Sequence, residues 1–352
     1  MMIIPISICM IVKNEEEKIE RCLKSLLPYN FEIIIVDTGS TDNTKEVAKK
    51  YTSHVYDFPW NDNFSEARNF SLSKASNEWI FVLDSDEWIK SLDVEELLYF
   101  MNHLSHAAGA VTRENVTGTP ENPSLTIDRT ERFFSKNKFH YTGMIHEQLT
   151  PVDADSFECL LLDSTIKHDG YCMSEEKRTE KSLRNISLLK KQMESDPDNP
   201  YVYYQLGKGY EMISDYTTAE TYFEKALSFD IDPELAYGQA LVVSYGYCLL
   251  YTNQIQKALE LTRFSASLSS SADFIYLLGL IYLESKQYDK ALDEFEKAMT
   301  FEFAREIGAN TYLPAYQIGK ILLLIGENET AKEYFLRCGN YQPAIEALNA
   351  LS

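Results

Sequence analysis

Two carboxylates separated by one residue follow an apolar run in the first half of the chain. Asp84-Ser85-Asp86 comes directly after Trp79–Leu83, and strand alternation would place both carboxylates on one side of the chain. Two hard oxygen ligands can hold Mg²⁺ or Mn²⁺ and leave other coordination positions to water and phosphate. Such a metal would neutralise the charge that develops when a nucleoside diphosphate leaves. The alternative is that Asp86 only caps a helix that begins near Glu87.

Two further polar side chains precede that motif. Asp37 ends the β-branched run Ile33–Val36, where its carboxylate could accept a hydrogen bond from a base N–H or form a turn before a helix. Arg68 carries a fork of donors that suits a base or a phosphate. The competing interpretation is an exposed helix on which Glu66 pairs with Arg68. The residues alone leave both alternatives open.

Alternating strands and helices are the elements that position these side chains. The runs Ile6–Val12, Ile33–Val36 and Trp79–Leu83 are typical of buried strands, and residues 15–27 and 45–51 have helical signals. This order predicts a doubly wound α/β domain, whose ligands bind beyond the carboxyl ends of the strands. The polar residues described above lie at those ends.

The order and spacing of the motifs resemble family 2 glycosyltransferases of the GT-A (Rossmann-like) fold. The resemblance covers residues 6–88 and includes Asn14-Glu15-Glu16 after the first strand. It implies that Glu15, Asp37 and Arg68 surround the nucleobase of a sugar-nucleotide donor. It further implies that Asp84 lies at the ribose, that Ser85 belongs to the same donor site, and that Asp86 binds the divalent metal.

The acceptor side of the predicted site departs from the common family pattern. Neither the Glu-Asp pair nor the Q-x-x-R-W stretch of many family members follows Asp86. We predict Glu147 as the base that takes the acceptor proton; the alternative is a structural pair of His146 and Glu147. His168 ends another strand-like run and is predicted as a metal ligand, or else as a buried structural histidine.

One basic cluster stands out in an acidic chain. Of its members, we predict that Arg184 clamps the donor diphosphate. The other three, Lys177, Arg178 and Lys181, are predicted to form the solvated face of a helix with neighbouring glutamates.

The second half of the chain carries a helical repeat with four glycine anchors. An alanine follows each anchor after 12 residues, a phenylalanine or threonine after 16, and a small residue after 19; the anchors are Gly207, Gly246, Gly279 and Gly319. The pattern resembles tetratricopeptide repeats of about 34 residues. We therefore predict a GT-A domain over residues 1–185 and tetratricopeptide-like repeats over residues 186–352. Such stacks serve as peptide-binding or dimerising surfaces.

Composition excludes several classes of function. Lys and Arg total 33 against 54 Asp and Glu, for a net charge of −21, so there is no clustered positive face for nucleic acid. The six cysteines include no C-x-x-C pair, which is typical of reduced thiols and not of a zinc site. No apolar run reaches the roughly 20 residues of a transmembrane helix, and we expect a cytoplasmic protein.

The family resemblance and the polar residues at the strand ends together imply an inverting glycosyltransferase that depends on Mn²⁺ or Mg²⁺. It would move a sugar from a UDP-sugar or another nucleoside diphosphate sugar to a peptide or protein, such as a bacteriocin precursor. The fusion of a transferase domain to repeats resembles the S-glycosyltransferases of sublancin-type bacteriocins. The alternatives are a cell-envelope saccharide as acceptor, and a catalytically degenerate scaffold built on the repeats. A homodimer through the repeats is a further expectation.

Overall fold

The computed structural model describes residues 4–119, 122–154, 156–170, 174–233 and 235–351. The chain divides into two compact units, Met1–Arg178 and Thr179–Ser352. Within the described ranges, no helix is both long enough and apolar enough to cross a membrane.

The first unit is built on a mixed eight-stranded sheet with the order β3-β2-β1-β4-β7-β6-β10-β5, and β8 and β9 form a separate pair. The strands are β1 (Ile6–Val12), β2 (Glu32–Asp37), β3 (Val55–Asp57), β4 (Trp79–Val82), β5 (Glu87–Ser91), β6 (Ala108–Thr119), β7 (Asn122–Ser135), β8 (Phe139–Thr142), β9 (Gln148–Pro151) and β10 (Cys159–His168). The helices are α1 (Ile19–Leu26), α2 (Thr44–Ala48), α3 (Phe64–Lys74) and α4 (Val94–His103).

Parallel pairing brings the carboxyl ends of the central strands to one edge of the sheet. β1 pairs in parallel with both β2 and β4, and its last residue, Val12, is in register with Asp37. The apolar side chains of β1 and β4 are buried on both faces of the sheet, which explains their nearly continuous hydrophobic runs. The same edge of the sheet therefore holds Asp37 at the end of β2, Glu15 after β1 and Asp84 after β4.

The sequence predicted β1, β2 and β4, as well as the strand-like run that forms β10. The parallel strands β2-β1-β4 match the doubly wound expectation, and β3, which was not predicted, extends them; β7, in contrast, is antiparallel to both β4 and β6. β6 and β7 form a long hairpin that is inserted beside β4. β10 then pairs in parallel with β6 and in antiparallel with β5.

The alternative interpretation, in which Asp86 caps a helix that begins near Glu87, is wrong. Residues 87–91 form β5, and the next helix, α4, begins at Val94 with Asp93 as its capping residue. The expectation that Asp84 and Asp86 follow strand alternation is also wrong, because residues 84–86 turn between β4 and β5 and Glu87 N donates to Asp84 O over 3.0 Å. The turn allows the two carboxylates to take different partners.

The second unit consists of helices in consecutive pairs, as the repeat predicted. α5 (Glu175–Ser195) leads into it from the first unit. The following helices are α6 (Pro200–Met212), α7 (Tyr216–Leu227), α8 (Ala236–Tyr251), α9 (Ile255–Leu259), α10 (Ala272–Glu284), α11 (Tyr288–Ala298), α12 (Tyr312–Leu324), α13 (Asn328–Arg337) and α14 (Gln342–Ala350).

Three of the four glycine anchors, Gly207, Gly279 and Gly319, are points of close contact within their helix pairs, whereas Gly246 lies against Leu277 of α10. A Cβ added to Gly279 would lie 2.5 Å from the Phe295 ring, and one added to Gly319 would lie 2.6 Å from the Phe335 ring. Both rings are fully buried. The repeat that has Thr262 in place of phenylalanine departs from this pattern, because α9 ends early and a 3₁₀ segment, Glu260–Phe264, continues the chain.

We predict that Gly279→Ala destabilises the helical unit, although alanine is the better helix former. The added methyl group must displace a buried ring, and overpacking of this kind costs about 1–3 kcal/mol in the free energy of unfolding. Urea unfolding followed by circular dichroism measures the effect. Adding Phe295→Leu should restore part of the loss, and an unchanged midpoint for Gly279→Ala alone would contradict the packing described.

Candidate active site

The loops after β1 and β2 are joined by hydrogen bonds at the carboxyl edge of the sheet. Asn14 N donates to Ser40 Oγ over 2.9 Å, and Asn14 Oδ1 accepts from Thr41 N over 2.8 Å. Glu15 N donates to Thr44 Oγ1 over 2.7 Å. These bonds hold the half-buried Glu15 beside the loop that follows Asp37.

The two carboxylate oxygens of Asp37 have different surroundings. Its Oδ1 accepts hydrogen bonds from Gly39 N at 3.0 Å and Ser40 N at 2.9 Å, which makes the predicted turn. Its Oδ2 is buried and has no hydrogen-bond partner among the described residues. An unpaired buried carboxylate oxygen is costly, so this atom has the character of a ligand-binding acceptor.

Arg68 is buried and pairs with two carboxylates, so the interpretation as an exposed pair with Glu66 is wrong. Its Nη2 lies 2.8 Å from Asp84 Oδ1, and its Nε forms a short ion pair with Glu147 Oε1. The guanidinium also lies 5.6 Å from the centre of the Tyr141 ring. Its Nη1 is buried without a hydrogen-bond partner in the described part of the chain.

A second arginine shares Asp84. Arg132, on β7, places Nη2 3.3 Å from Asp84 Oδ2 and 2.6 Å from Glu87 Oε1. Glu87 is only 1% exposed, and Arg113 on β6 also pairs with it at 3.3 Å. Burial by itself would raise the pKa of Asp84, but Arg68 and Arg132 outweigh it and hold that pKa well below its usual range.

Arg132 and Arg113 are residues that sequence reasoning did not place in the site. Both lie on the β6–β7 hairpin, and neither was given a role from the sequence. The available signal was charge within a strand: an arginine directly before the apolar Phe133 and Phe134 must be paired if it is buried.

The structure brings Asp86 and His168 together, and Asp86 reaches His168 from a turn. His168 ends β10 and is 5% exposed, and its Nε2 lies 3.5 Å from Asp86 Oδ2. Its Nδ1 lies 2.8 Å from Asn115 Oδ1. Ser85, between the two aspartates, is buried.

Gly170 packs closely against this pair and leaves no room for a Cβ atom. A Cβ built on Gly170 would lie closer than 3.0 Å to both Asp86 Oδ2 and His168 Nε2, so no other residue fits without displacement. Hard cations bind oxygen at about 2.0–2.6 Å, and two ligand atoms 3.5 Å apart can share one cation. A carboxylate and an imidazole are a donor set that Mn²⁺ accepts. The residues present therefore fit a divalent metal.

The described residues form no closed metal cage, since they include no group of three or more His, Cys, Asp or Glu suited to one ion. A cation held by Asp86 and His168 would keep several positions for other ligands. This open arrangement is the kind that Mg²⁺ takes when it also binds substrate phosphates.

Two further predicted site residues, Glu147 and Arg184, have other contacts. Glu147 follows His146, whose φ of +50° is in the left-handed region that non-glycine residues seldom occupy. The Glu147 side chain is 10% exposed and engages Arg68 through one oxygen. Arg184 belongs to the second unit, where its exposed side chain donates to Asn185 Oδ1.

Comparison with known families agrees with this geometry. Residues 7–162 match glycosyl transferase family 2. This stretch is a family 2 glycosyltransferase domain. Residues 315–345 of the second unit match the tetratricopeptide repeat, and residues 212–298 match a family described as anaphase-promoting complex, cyclosome, subunit 3. The chain thus joins a family 2 domain to tetratricopeptide repeats.

Relatives with both halves include a repeat-containing protein of Synechococcus elongatus, 27% identical over 84% of this chain and 75% of that protein. The glycosyltransferase SunS of Bacillus subtilis is 26% identical over 79% of this chain, and the alignment spans 66% of SunS. Among solved structures, MamA of Desulfovibrio magneticus covers 50% of this chain and 93% of its own, with 22% identity and a TM-score of 0.39.

We predict that Arg132→Leu destabilises the family 2 domain by about 3–5 kcal/mol, because it leaves two partly or fully buried carboxylates with one partner fewer. Thermal and urea unfolding measure the loss. The matched control is Lys49→Leu, which removes the same charge from an exposed position. Equal stability of the two variants would show that Arg132 does not hold the site together.

Proposed function

We propose that this chain is an inverting glycosyltransferase that uses a nucleoside diphosphate sugar, with a UDP-sugar as the first choice, and Mn²⁺ or Mg²⁺ as cofactor. The observation that carries the proposal is the pairing of Asp86 Oδ2 with His168 Nε2, against which Gly170 packs without room for a side chain. When bound there, the cation would neutralise charge on the departing diphosphate.

The nucleoside end of the donor is assigned to the edge formed by β1, β2 and β4. Asp37 Oδ2 is an acceptor that suits a base N–H, and Arg68 Nη1 is a donor that suits a carbonyl oxygen of the base or the ribose. Both atoms are buried and unpaired among the described residues, so a ligand that pairs with them relieves a desolvation cost. Glu15, Asp84 and Ser85 complete the proposed donor site. Arg184 remains the proposed clamp for the diphosphate.

Glu147 is the proposed base. Arg68 holds one of its oxygens and so orients the carboxylate, while the other oxygen has no hydrogen-bond partner among the described residues. That second oxygen would take the proton from an acceptor hydroxyl or thiol as the acceptor attacks the sugar. A cysteine acceptor would need little help, because a free thiol has a pKa of about 8.5.

A peptide or protein is the proposed acceptor. The support is the fusion to tetratricopeptide repeats, which form extended binding surfaces, and the resemblance of this domain order to the sublancin-type S-glycosyltransferases. Transfer to a cell-envelope saccharide is the second candidate. We place the reaction in the cytoplasm and keep a homodimer through the repeats as part of the proposal.

The test is calorimetric titration of UDP into the full chain with Mn²⁺ and then with EDTA. We expect binding that requires the metal and that Asp86→Ala abolishes, since this variant removes a charged ligand. The matched control is Asp153→Ala, which removes an exposed carboxylate in the same unit and should bind like the wild type. Binding of UDP by Asp86→Ala at wild-type strength would contradict the metal role of Asp86.

Gly170→Ala gives the same titration a second arm that removes neither ligand side chain. The methyl group would displace Asp86 Oδ2 and His168 Nε2 from their positions, so we expect loss of metal-dependent binding. Unfolding curves establish that each variant is folded. If the wild type binds none of UDP, GDP and CDP, the result would instead favour the catalytically degenerate scaffold.

A further inference from the structure

Three neighbouring strands bring polar side chains into contact behind His168. The parallel register of β10 and β6 pairs His168 with Asn115, and both residues are buried. His168 Nδ1 lies 2.8 Å from Asn115 Oδ1. On its other side, Asn115 Nδ2 donates to Asp128 Oδ2 on β7 over 3.2 Å. Asn115 therefore bridges the histidine and a carboxylate.

The direction of these hydrogen bonds follows from the chemistry of each group. Asp128 accepts two bonds from Arg113, from Nε at 2.9 Å and from Nη2 at 2.8 Å, and a carboxylate paired in this way can only accept. Asn115 must then turn its NH₂ toward Asp128 and its oxygen toward His168. Because an amide oxygen can only accept, His168 Nδ1 must carry a hydrogen and donate it.

The position of that hydrogen decides what the other ring nitrogen can do. A neutral imidazole has one N–H, so a hydrogen on Nδ1 leaves Nε2 with a free lone pair, which is the form that binds metals. Nε2 is the atom of His168 that lies 3.5 Å from Asp86 Oδ2. Partners of this kind behind a histidine ligand fix both its tautomer and its ring orientation.

We propose that Asn115 is a positioning residue that holds His168 in the Nδ1–H tautomer and so presents Nε2 to the divalent cation. The second part of this proposal rests on the proposed function. The first part does not, because the tautomer is a property of the protein without metal.

The tautomer is measured by ¹⁵N–¹H NMR on the full chain labelled with ¹⁵N-histidine, without metal and at pH 8.5, about two units above the ordinary histidine pKa. The chain has six histidines, and His168→Gln identifies the signals of His168. We expect the Nδ1–H form in the wild type. Asn115→Leu removes the acceptor at similar volume, so we expect the hydrogen to move to Nε2, where the Asp86 carboxylate can accept it.

Mn²⁺ affinity, measured by EPR titration, is the second readout. Loss of the hydrogen-bond partner of a metal-ligating histidine typically weakens metal binding by about 10–100-fold, and we expect a loss in this range for Asn115→Leu. The matched control is Asn102→Leu, which removes an exposed asparagine on α4 and should change neither measurement.

A charge-conserving exchange protects the test against misfolding. In the double variant Asn115→Asp with Asp128→Asn, an acceptor still faces His168 and an amide still donates to that acceptor. We expect it to keep both the Nδ1–H form and Mn²⁺ binding. Loss of the Nδ1–H form in the exchange, or its persistence in Asn115→Leu, would overturn the proposal.

A changed tautomer with unchanged Mn²⁺ affinity would overturn the presenting role of Asn115. A wild type that binds no Mn²⁺ would overturn the metal site of the proposed function, while the NMR result on Asn115 would still stand or fall by itself. The two failures are therefore distinguishable.

Discussion

The pairing of buried carboxylates with arginines at one edge of the sheet is the constraint on which the site depends. Glu87 is almost fully buried, and Asp84, three residues before it, donates its backbone N–H to Glu87 Oε2 over 3.0 Å. Leaving a buried carboxylate unpaired costs several kcal/mol, so the fold must supply cations at this edge. Arg113 and Arg132 supply them from the β6–β7 hairpin, and Arg68 supplies a third from α3. The arginines of the hairpin beside β4 thus allow carboxylates to be buried at the end of β4.

The contacts continue from the arginines to both ends of the proposed site. Each member is joined to the next by a hydrogen bond, an ion pair or a close polar approach, in the order Glu147, Arg68, Asp84, Arg132, Glu87, Arg113, Asp128, Asn115, His168 and Asp86. Charges alternate along most of this series, so each buried group is neutralised by its neighbours. The proposed base and the proposed metal ligands are therefore at the two ends of one network. Asp84 and Asp86 belong to the same turn, so the turn links the arginine pairs to the proposed metal ligands.

Local sequence patterns predicted the parts of the fold that are locally determined. β1 was expected over Ile6–Val12 and is found there, because a continuous apolar run is what a strand buried on both faces requires. The repeat was visible because Gly279 and Phe295 contact each other at a fixed spacing in the chain. The hairpin was missed, since its strands mix charged and apolar residues and their partners are far away in sequence. Asn115 was missed for the same reason: its role depends on strand register with β10 and not on any motif.

The two carboxylates of the Asp84-Ser85-Asp86 motif show the limit of such reasoning most clearly. The sequence identified both as functional candidates, but it assigned their geometry to strand alternation, whereas a turn separates them. As a consequence, the two carboxylates have different partners: Asp84 pairs with arginines and Asp86 lies beside a histidine. Residue type predicted the chemistry, and only the sheet topology determined which partner each carboxylate has.

Pulsed EPR of Mn²⁺ bound to the full chain with UDP is the decisive measurement for the proposed metal site, because it reports which nuclei surround the metal. We predict a ¹⁴N coupling from one imidazole, lost in His168→Gln, together with ³¹P coupling from the diphosphate. Mn²⁺ that shows ³¹P coupling with UDP but no histidine nitrogen would contradict this prediction, since His168 would then be a structural residue and the cation would lie elsewhere.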